Sequence, residues 1–198
     1  MLKLAVLVSG GGTNLQALID AVNDGTLART RIVLVVSSRG DAHALTRARE
    51  QDIPVFVAGR AQYPDAAARA DAIGGALRGA GADLVVLAGY MSIVPPELTQ
   101  AFAGRIINIH PSLIPKHCGL GFYGKNVHRA VLDAGETESG ATVHFVDEGV
   151  DTGPVILQEK VPVLPGDSAD SLAARVLVTE HRILVEAVRR FADAERIT

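Results

Sequence analysis

Several residue types that mark particular protein classes are scarce in this sequence. Its 198 residues contain no tryptophan and one cysteine, Cys118, which excludes an intrachain disulfide framework and predicts a reducing, cytoplasmic location. Lys and Arg total 19 against 22 Asp and Glu, a net charge of −3, so the charge does not indicate binding to nucleic acid or to a membrane. The apolar run at 2–8 is too short to span a bilayer and is followed by glycines.

What is present is the pattern of an α/β protein. The chain is 48% hydrophobic and of a length typical of a single domain, here 1–198. Runs rich in β-branched residues predict strands at 4–8, 32–36, 54–57, 84–87 and 106–109. Helical stretches are predicted between them near 14–23, 41–51, 64–79 and 96–103. This alternation predicts a Rossmann-like, mostly parallel twisted sheet with helices on both faces.

The pattern changes after residue 125. A helix near 126–134 is followed by strands predicted at 141–146 and 155–161. A long C-terminal helix is predicted over 168–192, with Ser168 or Asp167 as its N-cap after the turn at 164–166. The stretch 116–126 is a candidate active-site loop.

A glycine loop, Ser-Gly-Gly-Gly-Thr-Asn at 9–14, joins the first strand to the first helix. Glycines allow backbone N–H groups to approach an anion, and the helix N-terminus adds free donors, so we predict phosphate binding here. Leu15 replaces the glycine of a dinucleotide fingerprint, and no Gly-Lys-Ser/Thr follows, so neither of those motifs applies. The alternative is a tight turn with Thr13 as a helix cap.

A second candidate feature lies at the end of the strand 106–109. Because side chains alternate along a strand, Asn108 and His110 share one face and Ile107 and Ile109 the other. Asp151, on a loop flanked by glycines, could then orient the imidazole and raise its pKa, so that His110 is protonated at neutral pH. An amide donor, a proton shuttle and a carboxylate suit acyl-type transfer.

Other residues leave alternatives open. Tyr90, Met91, Ile93 and Val94 follow the fourth strand and would line a pocket for a flat aromatic ligand, or simply pack in the core. His144 shares a strand face with Thr142 and could brace the site. Four residues are candidate metal ligands: His117, Cys118, His128 and His144. Their spacings match no zinc signature, so we expect no metal. No neighbouring residue in the sequence supports Cys118 as a nucleophile.

Four segments of the chain resemble the phosphoribosylglycinamide formyltransferases of purine synthesis, and the resemblance extends over essentially its whole length. They are SGGGTNLQ at 9–16, AGYM at 88–91, INIHPSLIP at 107–115 and GATVHFVDEGVDTGP at 140–154. The Asn-x-His-Pro-Ser and Asp-x-Gly-Pro elements belong to folate-dependent formyltransferases in general. The glycine loop, the short length and the final helix point to the glycinamide member.

The resemblance implies a set of ligands and residue roles. Glycinamide ribonucleotide is the implied substrate and 10-formyltetrahydrofolate the co-substrate, with no metal. The implied catalytic residues are Asn108, His110 and Asp151. The ribonucleotide is assigned to Gly12, Thr13, Asn14 and, at its ribose, Glu180. The folate is assigned to Arg60, Met91, Ser92, Ile93, Val94, Asn108 and the loop from Asp147 to Asp151.

The chain departs from the family pattern at two positions, and rival functions remain. Family members often carry Asn where Ser38 stands and Arg where Ser92 stands, which leaves the polar contacts of the folate open.

A formyltetrahydrofolate hydrolase normally has an extra N-terminal domain, whereas this sequence begins at the first strand. A non-catalytic phosphosugar-binding module would explain the glycine loop but would give no reason for Asn108, His110 and Asp151 together. We expect a monomer or homodimer that binds small molecules, whereas the state of the Ile114–Pro115 peptide bond is open.

Overall fold

Seven strands and six helices alternate along residues 1–194, the part of the chain that the structure, a computed structural model, describes. The strands are β1 (Leu2–Val8), β2 (Thr30–Ser37), β3 (Val55–Val57), β4 (Leu84–Leu87), β5 (Ile106–His110), β6 (Glu138–Phe145) and β7 (Val155–Pro162). The helices are α1 (Thr13–Asn23), α2 (His43–Arg49), α3 (Ala66–Gly79), α4 (Pro96–Ala101), α5 (Lys125–Asp133) and α6 (Ala169–Ala194).

All seven strands form one sheet in the order β3-β2-β1-β4-β5-β6-β7. The pairs from β3 to β5 are parallel, whereas β6 and β7 are antiparallel to their neighbours. The chain winds outward from β1 to β3 and then returns to place β4 on the other side of β1. This reversal creates a crevice at the carboxyl ends of β1 and β4, where open α/β sheets bind ligands.

The alternation of β1 explains why helices cover both faces of the sheet. Leu4, Val6 and Val8 pack on one side, and Ala5 and Leu7 pack on the other. Apolar residues of α1, α2, α5 and α6 complete the first layer, and those of α3 and α4 complete the second. The predicted fold, a mostly parallel sheet between helices with a long C-terminal helix, is confirmed.

Each predicted element is present, with its ends within three residues of the prediction. Ser168, one of the two predicted caps, accepts a hydrogen bond from the backbone N–H of Ser171 at 3.1 Å, as an N-cap does. Asp167 instead pairs with Arg175 at 2.7 Å. The Ile114–Pro115 bond is cis. Residues 195–198 of the predicted domain lie outside the described residues.

Within residues 1–194, the helices include none that is long and apolar enough to cross a membrane.

Candidate active site

The candidate site begins where β5 meets β6. These two strands are antiparallel, with Asn108 opposite His144 and His110 opposite Thr142. Nδ2 of Asn108 lies 3.1 Å from Nε2 of His144, while Nδ1 of His144 lies 2.8 Å from the Phe145 carbonyl. The register of the sheet therefore places an amide and two imidazoles on one face, and His144 braces Asn108 as the sequence indicated.

Asp151 joins this group from the loop between β6 and β7. Its Oδ1 accepts a hydrogen bond from Asn108 Nδ2 at 3.3 Å. Its Oδ2 lies 3.5 Å from Nδ1 of His110 and accepts the backbone N–H of Gly119 at 3.0 Å. Nε2 of His144 is 3.5 Å from Oδ1. The structure thus brings the three predicted catalytic residues together around one carboxylate.

The loop that carries Asp151 is held by a second carboxylate. Oδ1 of Asp147 accepts the Thr152 hydroxyl at 2.6 Å and the Gly149 N–H at 3.0 Å. A Cβ on Gly149 would lie 2.1 Å from Oγ1 of Thr152, so the loop could not close in this way around a larger residue. Asp151 itself has a φ of 58°, a conformation that Asp adopts more readily than most residues.

Burial and charge oppose each other at the His110 ring, which is 4% exposed. Burial has the largest effect and lowers the pKa of His110, while the bond to the His117 carbonyl and the charge of Asp151 raise it. The net pKa lies below the ordinary value, so the expectation of a His110 protonated at neutral pH is wrong in direction. Desolvation of the imidazolium costs more than one carboxylate at 3.5 Å returns.

The pKa of Asp151 is shifted in the direction that keeps its carboxylate ionised. Burial is the largest single influence and raises the pKa of Asp151. Hydrogen bonds from His144 and from the Gly119 N–H, together with the charges of His110 and His144, outweigh burial and leave the pKa below its ordinary value. The site therefore combines a charged Asp151 with a mainly neutral His110 at pH 7.

A cleft of about 640 Å³ opens beside these residues. Its walls come from the segment after β4, the loop after β5, the loop before β7, and one face of α6. Tyr90 lines it, together with most residues assigned to the folate: Met91, Ser92, Ile93, Val94, Asn108, Asp147 and Asp151. A volume of this size is typical of clefts that bind a drug-sized ligand.

Asn14 and Glu180 also line the cleft. Nδ2 of Asn14 donates to Oε2 of Glu180 at 2.8 Å, although the two residues are far apart in sequence. Burial raises the pKa of Glu180, and the bond from Asn14 partly offsets this. Oδ1 of Asn14 is buried without a hydrogen-bond partner among residues 1–194.

The glycine loop leads into α1 beside this pair. Gly12 occupies the N-cap position with a φ of 73°, and no side chain caps the helix, so the alternative role of Thr13 as cap is not supported. The first helical bond runs from the Gln16 N–H to the Gly12 carbonyl at 2.9 Å. The N–H groups of residues 13–15 therefore point out of the helix end, as an anion site requires.

Three predicted ligand-binding residues lie outside the lining of the cleft. Gly12 and Thr13 are next to Asn14 but are not part of its wall, and Arg60, exposed after β3, does not reach it. A phosphate at the glycine loop would therefore lie outside the lining of the cleft. Among residues 1–194, no hydrogen bond or ion pair connects Arg60 to the site.

Two departures from the family pattern have structural roles. The hydroxyl oxygens of Ser9 and Ser38 are 2.6 Å apart, and Oγ of Ser9 accepts the backbone N–H of Met91 at 2.8 Å. Ser38 thus takes part in a link between the carboxyl ends of β1, β2 and β4. The Ser92 side chain weakens the upward effect of burial on the Tyr90 pKa.

Some functional groups were not predicted from the sequence. The His117 carbonyl lies 3.0 Å from Nε2 of His110, and the Gly119 N–H binds Asp151; neither backbone contact has a sequence signal. His128 lines the cleft and is 4% exposed, but the sequence indicated it only as a candidate metal ligand. Among residues 1–194, no cluster of three His, Cys, Asp or Glu side chains could hold a metal ion.

Comparison with known proteins places this geometry in a family. The Formyl transferase family model matches residues 2–188. The phosphoribosylglycinamide formyltransferase of Haemophilus influenzae is 45% identical over 98% of this chain and 88% of its own length. The chain belongs to the phosphoribosylglycinamide formyltransferases.

Other members of this formyltransferase family agree. The phosphoribosylglycinamide formyltransferase of Escherichia coli is 41% identical over 97% of this chain and 88% of its own. The crystal structure of glycinamide ribonucleotide transformylase 1 from Symbiobacterium toebii superposes with a TM-score of 0.92 at 45% identity, covering 98% of this chain and 89% of that one. Sequence and fold therefore agree on membership, and this formyltransferase is an enzyme of the transferase class.

Proposed function

We propose that this protein transfers the formyl group of 10-formyltetrahydrofolate to the primary amine of glycinamide ribonucleotide, a step of purine synthesis. The observation that carries the proposal is the meeting of Asn108, His110 and Asp151 in a cleft that Asn14 and Glu180 also line. The cleft thus offers both groups for acyl transfer and polar groups for a sugar phosphate. The names of its relatives describe the same reaction.

The ribonucleotide fits the end formed by α1 and α6. Its phosphate would bind the N–H groups at the start of α1, beside Gly12 and Thr13, because the helix dipole and the free donors favour an anion. The ribose would lie against Glu180, beside Asn14. The aminoacetyl arm then extends along the cleft toward His110.

The folate fits the opposite, more apolar wall. Met91 is 57% and Ile93 is 67% exposed, so the empty wall offers apolar surface to a flat pterin ring. Polar contacts to the ring would come from the loop that Asp147 holds. Arg60 stays a proposed folate contact that would require movement of its segment.

The chemistry follows from the groups at the end of β5. The substrate amine attacks the formyl carbon, and negative charge develops on the formyl oxygen. Nδ2 of Asn108 and the Nε2–H of His110 donate hydrogen bonds to that oxygen. The formyl oxygen would replace the His117 carbonyl, which accepts from Nε2 in the structure.

Completion of the transfer requires one proton to move. The bond from the formyl carbon to the folate nitrogen breaks, and the proton lost by the amine ends on that nitrogen. Asp151 stabilises the His110 imidazolium whenever the ring takes up a proton, and it can order a water that relays the proton. No metal takes part in this scheme, and holding both reactants in one cleft supplies much of the acceleration.

An assay of tetrahydrofolate release with and without glycinamide ribonucleotide tests the proposal. We expect rapid release that depends on the ribonucleotide, with water a poor acceptor. Equal release without the ribonucleotide would favour a formyltetrahydrofolate hydrolase, and ligand binding without any release would favour a phosphosugar-binding module. We further propose that the protein works in the cytoplasm as a monomer or homodimer.

A further inference from the structure

His128 is a buried histidine in the cleft wall that the proposed chemistry does not use. It lies on α5, is 4% exposed and faces the same cleft as His110 and Glu180. Its Nδ1 is sealed from solvent and has no hydrogen-bond partner among residues 1–194. Nε2 is not sealed in this way, and within the same residues no protein group is bonded to it. The one polar atom of this ring that can reach a ligand is therefore Nε2.

The sealed nitrogen determines which tautomer the ring adopts. A buried N–H without an acceptor is rarer and more costly than an acceptor without a donor. The proton of the neutral ring is therefore better placed on Nε2, leaving Nδ1 as the unpaired acceptor. Burial, followed by the charge of His110, also lowers the pKa of His128, which favours the neutral ring at pH 7.

The position of His128 indicates which ligand group it meets. α5 packs against α6, the helix that carries Glu180, and His110 is close enough to act on the His128 pKa. His128 therefore lines the cleft near His110, on a helix packed against the one that carries Glu180. In the proposed function the aminoacetyl arm runs from the ribose toward His110, and its amide carbonyl is a hydrogen-bond acceptor next to the attacking amine.

We propose that His128 is a substrate-positioning residue whose Nε2–H donates a hydrogen bond to the amide carbonyl oxygen of glycinamide ribonucleotide. The bond would fix the aminoacetyl arm so that its amine faces the formyl carbon. This assignment rests on the proposed function and adds to it a contact made before the chemical step.

The first test uses the unmodified protein and does not depend on activity. Imidazole ¹⁵N spectra distinguish a bare ring nitrogen from a protonated one, and the spectrum of His128→Gln assigns the His128 signals. We expect Nε2 to be protonated and Nδ1 bare in the free protein. Glycinamide ribonucleotide alone should shift the Nε2–H signal, and tetrahydrofolate alone should not. A proton on Nδ1, no response to bound ribonucleotide, or a response to folate alone would overturn the proposal.

The second test uses variants that place an amide at one ring nitrogen or the other. His128→Gln puts its amide near the Nε2 position, whereas His128→Asn puts it near the sealed Nδ1 position. We expect the Asn variant to raise KM for the ribonucleotide about three- to tenfold, the loss of one neutral hydrogen bond. The Gln variant should stay nearer to wild type, and KM for the folate should not change in either. Equal effects of the two variants would overturn the proposal.

Two controls separate this proposal from others. Unfolding midpoints of both variants identify any loss of folding, and the ¹⁵N titration of the wild type is independent of them. A wild-type protein that transfers formyl groups while its His128 ignores bound ribonucleotide would overturn only the role of His128. A ribonucleotide-dependent shift without formyl transfer would overturn only the proposed reaction.

Discussion

Nδ1 of His110 faces Oδ2 of Asp151 at 3.5 Å, and one short loop bonds to both residues. The His117 carbonyl lies 3.0 Å from Nε2 of His110, and the Gly119 N–H donates to Oδ2 of Asp151 at 3.0 Å. The loop after β5 thus supplies a backbone acceptor to the imidazole and a donor to the carboxylate. A ligand oxygen that binds Nε2 must replace the first of these contacts, so ligand binding and loop position are coupled at His110.

Replacing Asn108 by Ala should lower turnover by roughly a hundred- to a thousandfold, because one donor to the developing oxyanion is lost. Steady-state kinetics with both substrates would measure the effect. Asn126→Ala, at an exposed position on α5 outside the cleft lining, is the matched control and should keep wild-type turnover. Turnover near wild type in the Asn108 variant would leave this residue as a structural support.

His110→Ala should lower kcat/KM about as much as Asn108→Ala. The loss in the double variant should be much smaller than the product of the two single losses. Both side chains act on one oxygen in one transition state, so their losses are not additive. A double-mutant cycle on kcat/KM provides the measurement. Fully multiplicative losses would mean that the two residues act on separate steps.

The fold was predictable because its signals are local. Runs such as β4 are buried on both faces and bounded by helices, which identifies a parallel sheet from sequence alone. The strand-end pair Asn108 and His110 follows from the period of two. Asp151 was named as a partner of the imidazole from its glycine-flanked loop, but no local pattern fixes its position, because that depends on how the loop before β7 returns across the sheet.

Other features of the site depend on tertiary structure. The hydrogen bond between Asn14 and Glu180 joins the first helix to the last, and no short-range pattern announces it. The pKa of His110 was expected to rise from its carboxylate neighbour alone. Its net fall reflects burial by the surrounding chain, which a residue list does not reveal.

Gly12→Ala should destabilise the protein by at least about 1–2 kcal/mol, since an L residue is strained at positive φ and Gly12 has a φ of 73°. The added Cβ would also lie 2.6 Å from the Ala44 Cβ and 2.8 Å from its Cα, so the backbone of α2 would have to move. Gly10→Ala meets nothing within 4 Å and is the control. Urea unfolding of both variants would measure the difference, and equal midpoints would contradict the conformation assigned to Gly12.

Asp151→Asn should lower turnover by roughly a hundredfold or more, because the ring of His110 loses the group that orients it and stabilises its charged form. The pKa of His110 already lies below its ordinary value through burial, and Asp151 offsets part of that effect. Removing the carboxylate should lower the pKa further. The limb of the pH–rate profile that His110 governs should therefore move to more acid pH, whichever form of the ring is active.

The pKa of Asp151 lies below its ordinary value, so the carboxylate is ionised throughout the neutral range and its own titration does not produce that limb. Profiles of kcat/KM for the wild type, Asp151→Asn and the control Asp133→Asn, an exposed residue at the end of α5, would test this. A limb that stays in place or moves to alkaline pH in the Asp151 variant would show that this carboxylate does not set the charge of His110.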